Sequence, residues 1–242
     1  MSAFQSSRVQ LQPAYVLHRR PYRETSLILD AFSRDYGKVS LLAKGVRGGK
    51  SARIDAMPPF RAVLLSWSGK SDMPLLTGVE SPEPTAPLQG IALYCGLYLN
   101  ELLQAFLHKH DPHARLFQCY GAALAELAGG DDKEYALRSF ELELLQELGY
   151  GLQLHCDADR GLDIEPDRLY RYDPEQGPLA AGGTGATLRG ATLIALREGR
   201  LDDADCRREA KGLLRRVIHH HLAGRPLKSR ELFRYSQKHE ST

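Results

Sequence analysis

The feature that most constrains the fold is a change of hydrophobic period partway along the chain. Over residues 14–79 the apolar residues come in short runs of strand length, parted by turn residues. The runs are 14–18, 26–32, 38–43, 62–67 and 74–79, with Asp35-Tyr36-Gly37 as a turn between the second and third. β-branched and aromatic residues suit a pleated, half-buried surface, and Gly and Asp reverse the chain. Five such runs in about 70 residues predict a small barrel, and the five-stranded OB-fold is the barrel of that size that binds oligonucleotides. Residues 81–87 then hold three prolines. Each proline fixes φ and removes a backbone donor, so this stretch reads as a linker.

Beyond the linker the period lengthens to that of a helix. Ile91, Tyr94, Cys95, Tyr98, Leu102 and Ala105 share one helical face. Leu116, Tyr120, Ala123, Leu124 and Leu127 form a second, stopped at Gly129-Gly130. Leu137, Phe140, Leu144, Leu145 and Leu148 form a third, with Gly149 placed to end it. Residues 150–186 are irregular, with 169–172 as one strand of a hairpin and a glycine loop at 182–185. Helices resume at 187–197 and 203–222, and Ser229 is placed as the N-cap of a short final helix through Arg234. The expectation is an α+β multidomain chain: an OB-fold barrel over 1–80, a linker at 81–87, and a mainly α-helical domain over 88–242.

Charge is distributed as unevenly as hydrophobicity. The 242 residues carry a net charge of only +2. Residues 1–80 hold 12 Lys/Arg against 6 Asp/Glu, 81–205 hold 10 against 21, and 206–242 hold 10 against 3. Basic ends flanking an acidic middle point to a polyanionic partner. The densest basic segment is residues 43–53, AKGVRGGKSAR, between two strand-like runs. It nearly matches the phosphate-binding pattern G-x-x-x-x-G-K-[ST], but the first glycine should fall at 44, where lysine stands. Gly45 leaves the loop one residue short, and Pro58-Pro59 preclude the long helix that such a loop precedes. A mobile cationic loop meeting a nucleic-acid backbone fits better. A second basic stretch, Arg207–Arg216, is either a solvated helix face or a second phosphate track.

Other chemistries find little support. The four cysteines, Cys95, Cys119, Cys156 and Cys206, make no C-x-x-C pair. The acids from Asp157 to Asp167 fail a calcium loop at its glycine and its final glutamate, where Leu162 and Arg168 stand. His219, His220 and His221 are adjacent on a helix and cannot all face one ion. No G-x-S-x-G elbow occurs, and nothing singles out a nucleophile, so a non-enzymatic binding role is expected. The N-terminus lacks the apolar core of a signal peptide, and no run approaches a membrane span, so a cytoplasmic protein is expected.

The order of the motifs resembles the RecO family of bacterial recombination mediators and DNA repair proteins over residues 12–236. The matching segments are VLHRRPYRETSLILDAFSRDYGKVSLLAKGVRGGKS (16–51), LYCGLYLNELL (93–103), SFELELLQELGYGLQLHC (139–156) and PLKSRELFR (226–234). The resemblance implies binding of single- and double-stranded DNA, strand annealing, and help in loading RecA onto DNA coated by single-strand-binding protein. Implied partners are RecR and the acidic C-terminal tail of the single-strand-binding protein. It places a DNA surface on Arg19, Arg34, Lys38, Lys44, Arg47, Lys50 and Arg53, with Tyr15, Tyr22, Tyr36 and Trp67 as stacking candidates, Trp67 being better suited to the core. For the tail it suggests Arg138 beside Phe140 and Leu145, or Lys228 and Arg230. Many relatives carry a four-cysteine zinc site; Cys156 matches its first position, but Asp159 stands at the second and the later pair is missing, so no metal or cofactor is expected. The alternatives are an OB-fold RNA-binding module and a nucleotide hydrolase using the glycine loop.

Overall fold

A computed structural model describes residues 8–47, 57–81, 87–181, 187–201 and 203–231. The first five strands are β1 (Arg8–Tyr22), β2 (Ser26–Ser33), β3 (Gly37–Ala43), β4 (Ala62–Ser68) and β5 (Leu75–Glu80). They close into a barrel in the order β1-β2-β3-β5-β4, and β1 pairs with β4 to complete it. The long first strand makes closure possible. Its first half pairs with β4 and its second half with β2, and bulges at Val9/Gln12 and Val16/His18 bend it between the two. β3 and β5 run parallel, meeting at Leu42↔Leu75.

Alternation along each strand fills the interior. β4 buries Val63, Leu65 and Trp67 and turns Leu64, Ser66 and Ser68 outward. They join Leu27, Leu29, Ala31, Val39, Leu41 and Met57 in one core. β2 departs from strict alternation, because its outer face is buried as well. The cover comes from α1 (Gly90–Phe106) and α2 (Ala114–Gly129), two of the helices expected beyond the linker. Phe117 lies 5.5 Å from Phe32, and both Phe117 and Tyr120 lie 4.9 Å from Tyr15. Buried Asn100 donates to the Leu17 carbonyl at 2.9 Å and accepts from the Tyr120 hydroxyl, so the helix–strand seam leaves these polar groups paired. Gly37 has φ +62°, and a Cβ there would come within 2.1 Å of the Asp111 carbonyl oxygen. The β2–β3 turn therefore needs glycine for its backbone and for the segment packed on it.

Packing divides the chain elsewhere than the prolines do. One compact unit gathers the residues up to 130 together with those from 227, and the other comprises 131–226. α1 and α2 belong with the barrel because its outer face is apolar and must be covered. The returning segment docks on α1: Leu227 and Ser229 are buried, and Glu101 accepts from the backbone N–H groups of Lys228 and Ser229 at 2.8 Å each. The Ser229 hydroxyl also donates to Glu101, so the carboxylate at this helical turn is supplied by α1.

The second unit contains α3 (Lys133–Glu147), β6 (Leu169–Asp173), β7 (Gly177–Ala180), β8 (Thr187–Arg189), α4 (Gly190–Glu198) and α5 (Ala204–His221). The strands form an antiparallel sheet in the order β7-β6-β8. Residues 187–189, expected as the start of a helix, pair as β8 with β6 instead. Three residues are too few for the period to register. α5 packs on α3 and α4 through an apolar stripe that includes Ala210, Leu213, Leu214 and Val217. Asp132 and Asp203 cap α3 and α5, accepting from Tyr135 N–H at 2.9 Å and Cys206 N–H at 2.8 Å. No helix among the described residues is long and apolar enough to cross a membrane.

Candidate nucleic-acid interface

Several of the cations expected on a DNA surface lie at opposite ends of the β2–β3 pair, separated by the seven residues of β3, about 20 Å of backbone. At the β2–β3 turn they are bonded to neighbouring groups. The Arg34 guanidinium forks onto Asp35 at 2.8 and 3.0 Å, and these bonds raise its pKa. Lys38 is half-buried and donates to the Gln104 carbonyl of α1 at 2.8 Å. Burial lowers the Lys38 pKa, with Lys109 adding to the effect and Asp30 opposing it. Arg19 is half-buried on β1, opposite Leu29.

The other end of the strands is built differently. Arg23, Glu24 and Thr25 connect Tyr22 to its partner Ser26, and Arg23 takes φ 52°, a conformation uncommon outside glycine. The root of the basic loop is stitched to this turn. The Arg47 N–H donates to the Thr25 carbonyl at 3.0 Å, and the Arg47 guanidinium donates to the Arg23 carbonyl at 3.3 Å. Val46 is pegged into the barrel core, which leaves Lys44 and Arg47 exposed on either side of it. Between the turn and the loop root lies an open depression of about 600 Å³, lined by Tyr22, Arg23, Glu24, Thr25, Ser26, Leu42, Lys44 and Gly45. Arg20 and Arg23, both exposed, add to the positive charge of this end. Neither was among the cations expected from the sequence; the signal was the run Arg19-Arg20-Pro21-Tyr22-Arg23 just before a turn. Lys50 and Arg53 lie outside the described residues.

The aromatics separate in the same way. Trp67 is core, as its type favours, and Tyr36 packs edge-on against it at 5.3 Å. Tyr15 is held between β1 and α2, where burial raises its pKa. Of the four stacking candidates only Tyr22 lines the depression, with the Arg23 guanidinium 5.3 Å from its ring centre.

The residues expected to hold an acidic tail divide between the two units. Arg138 is 4% exposed and donates to buried Glu141 at 2.7 Å, while Phe140 and Leu145 are 1% and 0% exposed. An exposed pocket rim at 138–145 is therefore corrected to interior packing: these side chains are part of the core, and the guanidinium neutralises an internal carboxylate. Lys228 is exposed, and Arg230 lies 5.9 Å from the ring centre of Tyr98. On α5, Arg207 bonds to the Leu201 carbonyl and pairs with Asp132, Lys211 pairs with Glu134, and Arg208 pairs with Asp205. Arg215 and Arg216 are exposed as well, with no ion pair to either among the described residues.

Among the described residues no group of three His, Cys, Asp or Glu side chains is placed to hold a metal ion. Asp159, which stands where the resemblance would put a second cysteine ligand, accepts from the Ala180 N–H at 3.2 Å, and Asp157 accepts from the Arg160 N–H at 2.6 Å. The donor set does not fit zinc.

Closed order, strand count and following helices define an OB-fold protein with a helical C-terminal region. The family profile described as Recombination protein O N terminal matches residues 8–84, and the one described as Recombination protein O C terminal matches 87–231. Similar proteins include one from Methylococcus capsulatus, 50% identical over 95% of both chains. Another, from Dechloromonas aromatica, is 45% identical over 96% of this chain and 98% of its own. A third, from Nitrosococcus oceani, is 45% identical over 93% of both. All three are named DNA repair protein RecO. The chain belongs to the RecO family.

Proposed function

We propose that this protein is a DNA repair and recombination mediator that binds single- and double-stranded DNA at the β1–β2 end of its barrel. The observation that supports this is the pair Lys44 and Arg47, held exposed by the Val46 peg and the bonds of Arg47 to the turn. Exposed cations displace the counterions condensed on a nucleic-acid backbone, and that release supplies sequence-independent affinity. Two strands held on cationic surfaces repel each other less, which favours annealing. Membership of the family supports, as parts of the same proposal, help in loading RecA onto DNA coated by single-strand-binding protein and docking of RecR. The protein then acts by binding rather than by catalysis, in the cytoplasm with the nucleoid. Lys228 and Arg230 are the cations left for the tail of single-strand-binding protein, since a carboxylate-ended acidic peptide needs exposed positive charge. The test is a strand-annealing assay across a salt series, with and without single-strand-binding protein. Annealing that slows steeply with salt supports the reading; no annealing at any salt rejects it. A preference for RNA over matched DNA in competition would favour the RNA-binding alternative.

A further inference from the structure

We infer that the depression beside the β1–β2 turn takes one unstacked nucleobase, and so distinguishes single-stranded from duplex DNA; this rests on the DNA-binding reading above. The depression of about 600 Å³ is open rather than enclosed, and its wall carries a planar aromatic, Tyr22, paired with a planar cation, Arg23. A base entering it meets either the tyrosine ring or the guanidinium plane, and both stack on bases. Lys44, on the same wall, is exposed and positioned for the adjoining phosphate. Arg23 holds its left-handed φ while its carbonyl receives the Arg47 guanidinium, so turn and loop root are fixed to each other before any ligand arrives. Bases in a duplex are already stacked on their neighbours and offer only their phosphates to such a surface.

The other three candidate aromatics are engaged in packing, so this end of the barrel grips a strand through phosphates and a single base. That arrangement suits annealing, because the remaining bases stay available to pair. A platform that stacked every base would compete with the complementary strand.

The experiment measures binding of the full-length protein to oligo(dT), to an abasic oligomer of equal length and to a blunt duplex, at several salt concentrations. Tyr22→Ala is expected to weaken oligo(dT) binding by roughly 5- to 150-fold. The duplex and abasic affinities should stay unchanged, as should the slope of log K against log salt. Tyr22→Phe should restore oligo(dT) binding, which separates stacking from misfolding. Equal losses on oligo(dT) and duplex, or no loss on oligo(dT), would overturn the inference. The broader reading fails by a different result: wild-type protein that binds none of the three ligands.

Discussion

The two ends of the β2–β3 pair carry similar residues and use them in opposite ways. At the β2–β3 turn the 108–113 segment covers the strands, and the His110 N–H donates to the Lys38 carbonyl at 3.0 Å. Lys38 and Arg34 are drawn into bonds with Gln104 and Asp35. At the β1–β2 turn the described residues leave Lys44, Arg47, Arg20 and Arg23 exposed. A cation contributes to binding only where the fold holds it without neutralising it. The second unit repeats the lesson, with Arg138 paired inside and Arg215 left outside.

The contrast is open to direct attack. The largest effect is expected at Arg138, where alanine removes a charged partner of buried Glu141. Loss of one partner of a buried pair costs about 3–5 kcal/mol. Denaturant unfolding should show it, while the tail-peptide affinity of the molecules that remain folded should not change. A lowered peptide affinity with unchanged stability would restore Arg138 to a binding role. Next comes the exposed end. Lys44→Ala with Arg47→Ala removes two phosphate contacts and should lower the single-strand salt slope by about 1.4. Titration at several salt concentrations checks it, and an unaltered slope would make the two ends equivalent.

At the covered end the effect moves from binding to stability. Lys38→Met should leave the salt slope intact. The folded-state pKa of Lys38 lies below its unfolded value, so between the two the unfolded chain binds more protons and stability rises with pH. That rise falls in the alkaline range just under the ordinary lysine value, is complete above it, and should flatten in Lys38→Met. Melting curves from neutral to alkaline pH would reveal it. The smallest change is expected on α5, where Arg215→Ala with Arg216→Ala should leave the slope within error. A fall approaching that of the loop pair would establish a second DNA track there.

Much of the architecture was legible in the chain because periodicity reports burial. Strands β2 to β5 and the helices α1, α2, α3 and α5 fall where alternation or a 3.6-residue stripe placed them, to within a few residues at their ends, whereas β1 runs over Arg8–Tyr22, well beyond the expected 14–18. Gly149, with φ +81°, follows α3 as its position suggested. β8 escaped because three residues carry no period, and the capping carboxylate at Ser229 escaped because Glu101 is distant in sequence. Arg20 and Arg23 were visible only as charges beside a turn.

The residue order alone settled where most of the strands and helices form and that the chain as far as Glu80 supplies the five strands of a barrel. Those properties follow from local spacing and composition. Which cations remain available was settled by the folded arrangement. Lys38 and Lys44 are both lysines of β3 or its end, yet one meets a carbonyl 66 residues away and the other faces solvent. The same holds for Tyr22 against Tyr15 and Tyr36, and for Arg138 against Arg215. Pairing and burial are contacts between distant residues, and no local pattern encodes where a carboxylate, a carbonyl or an aromatic ring will arrive.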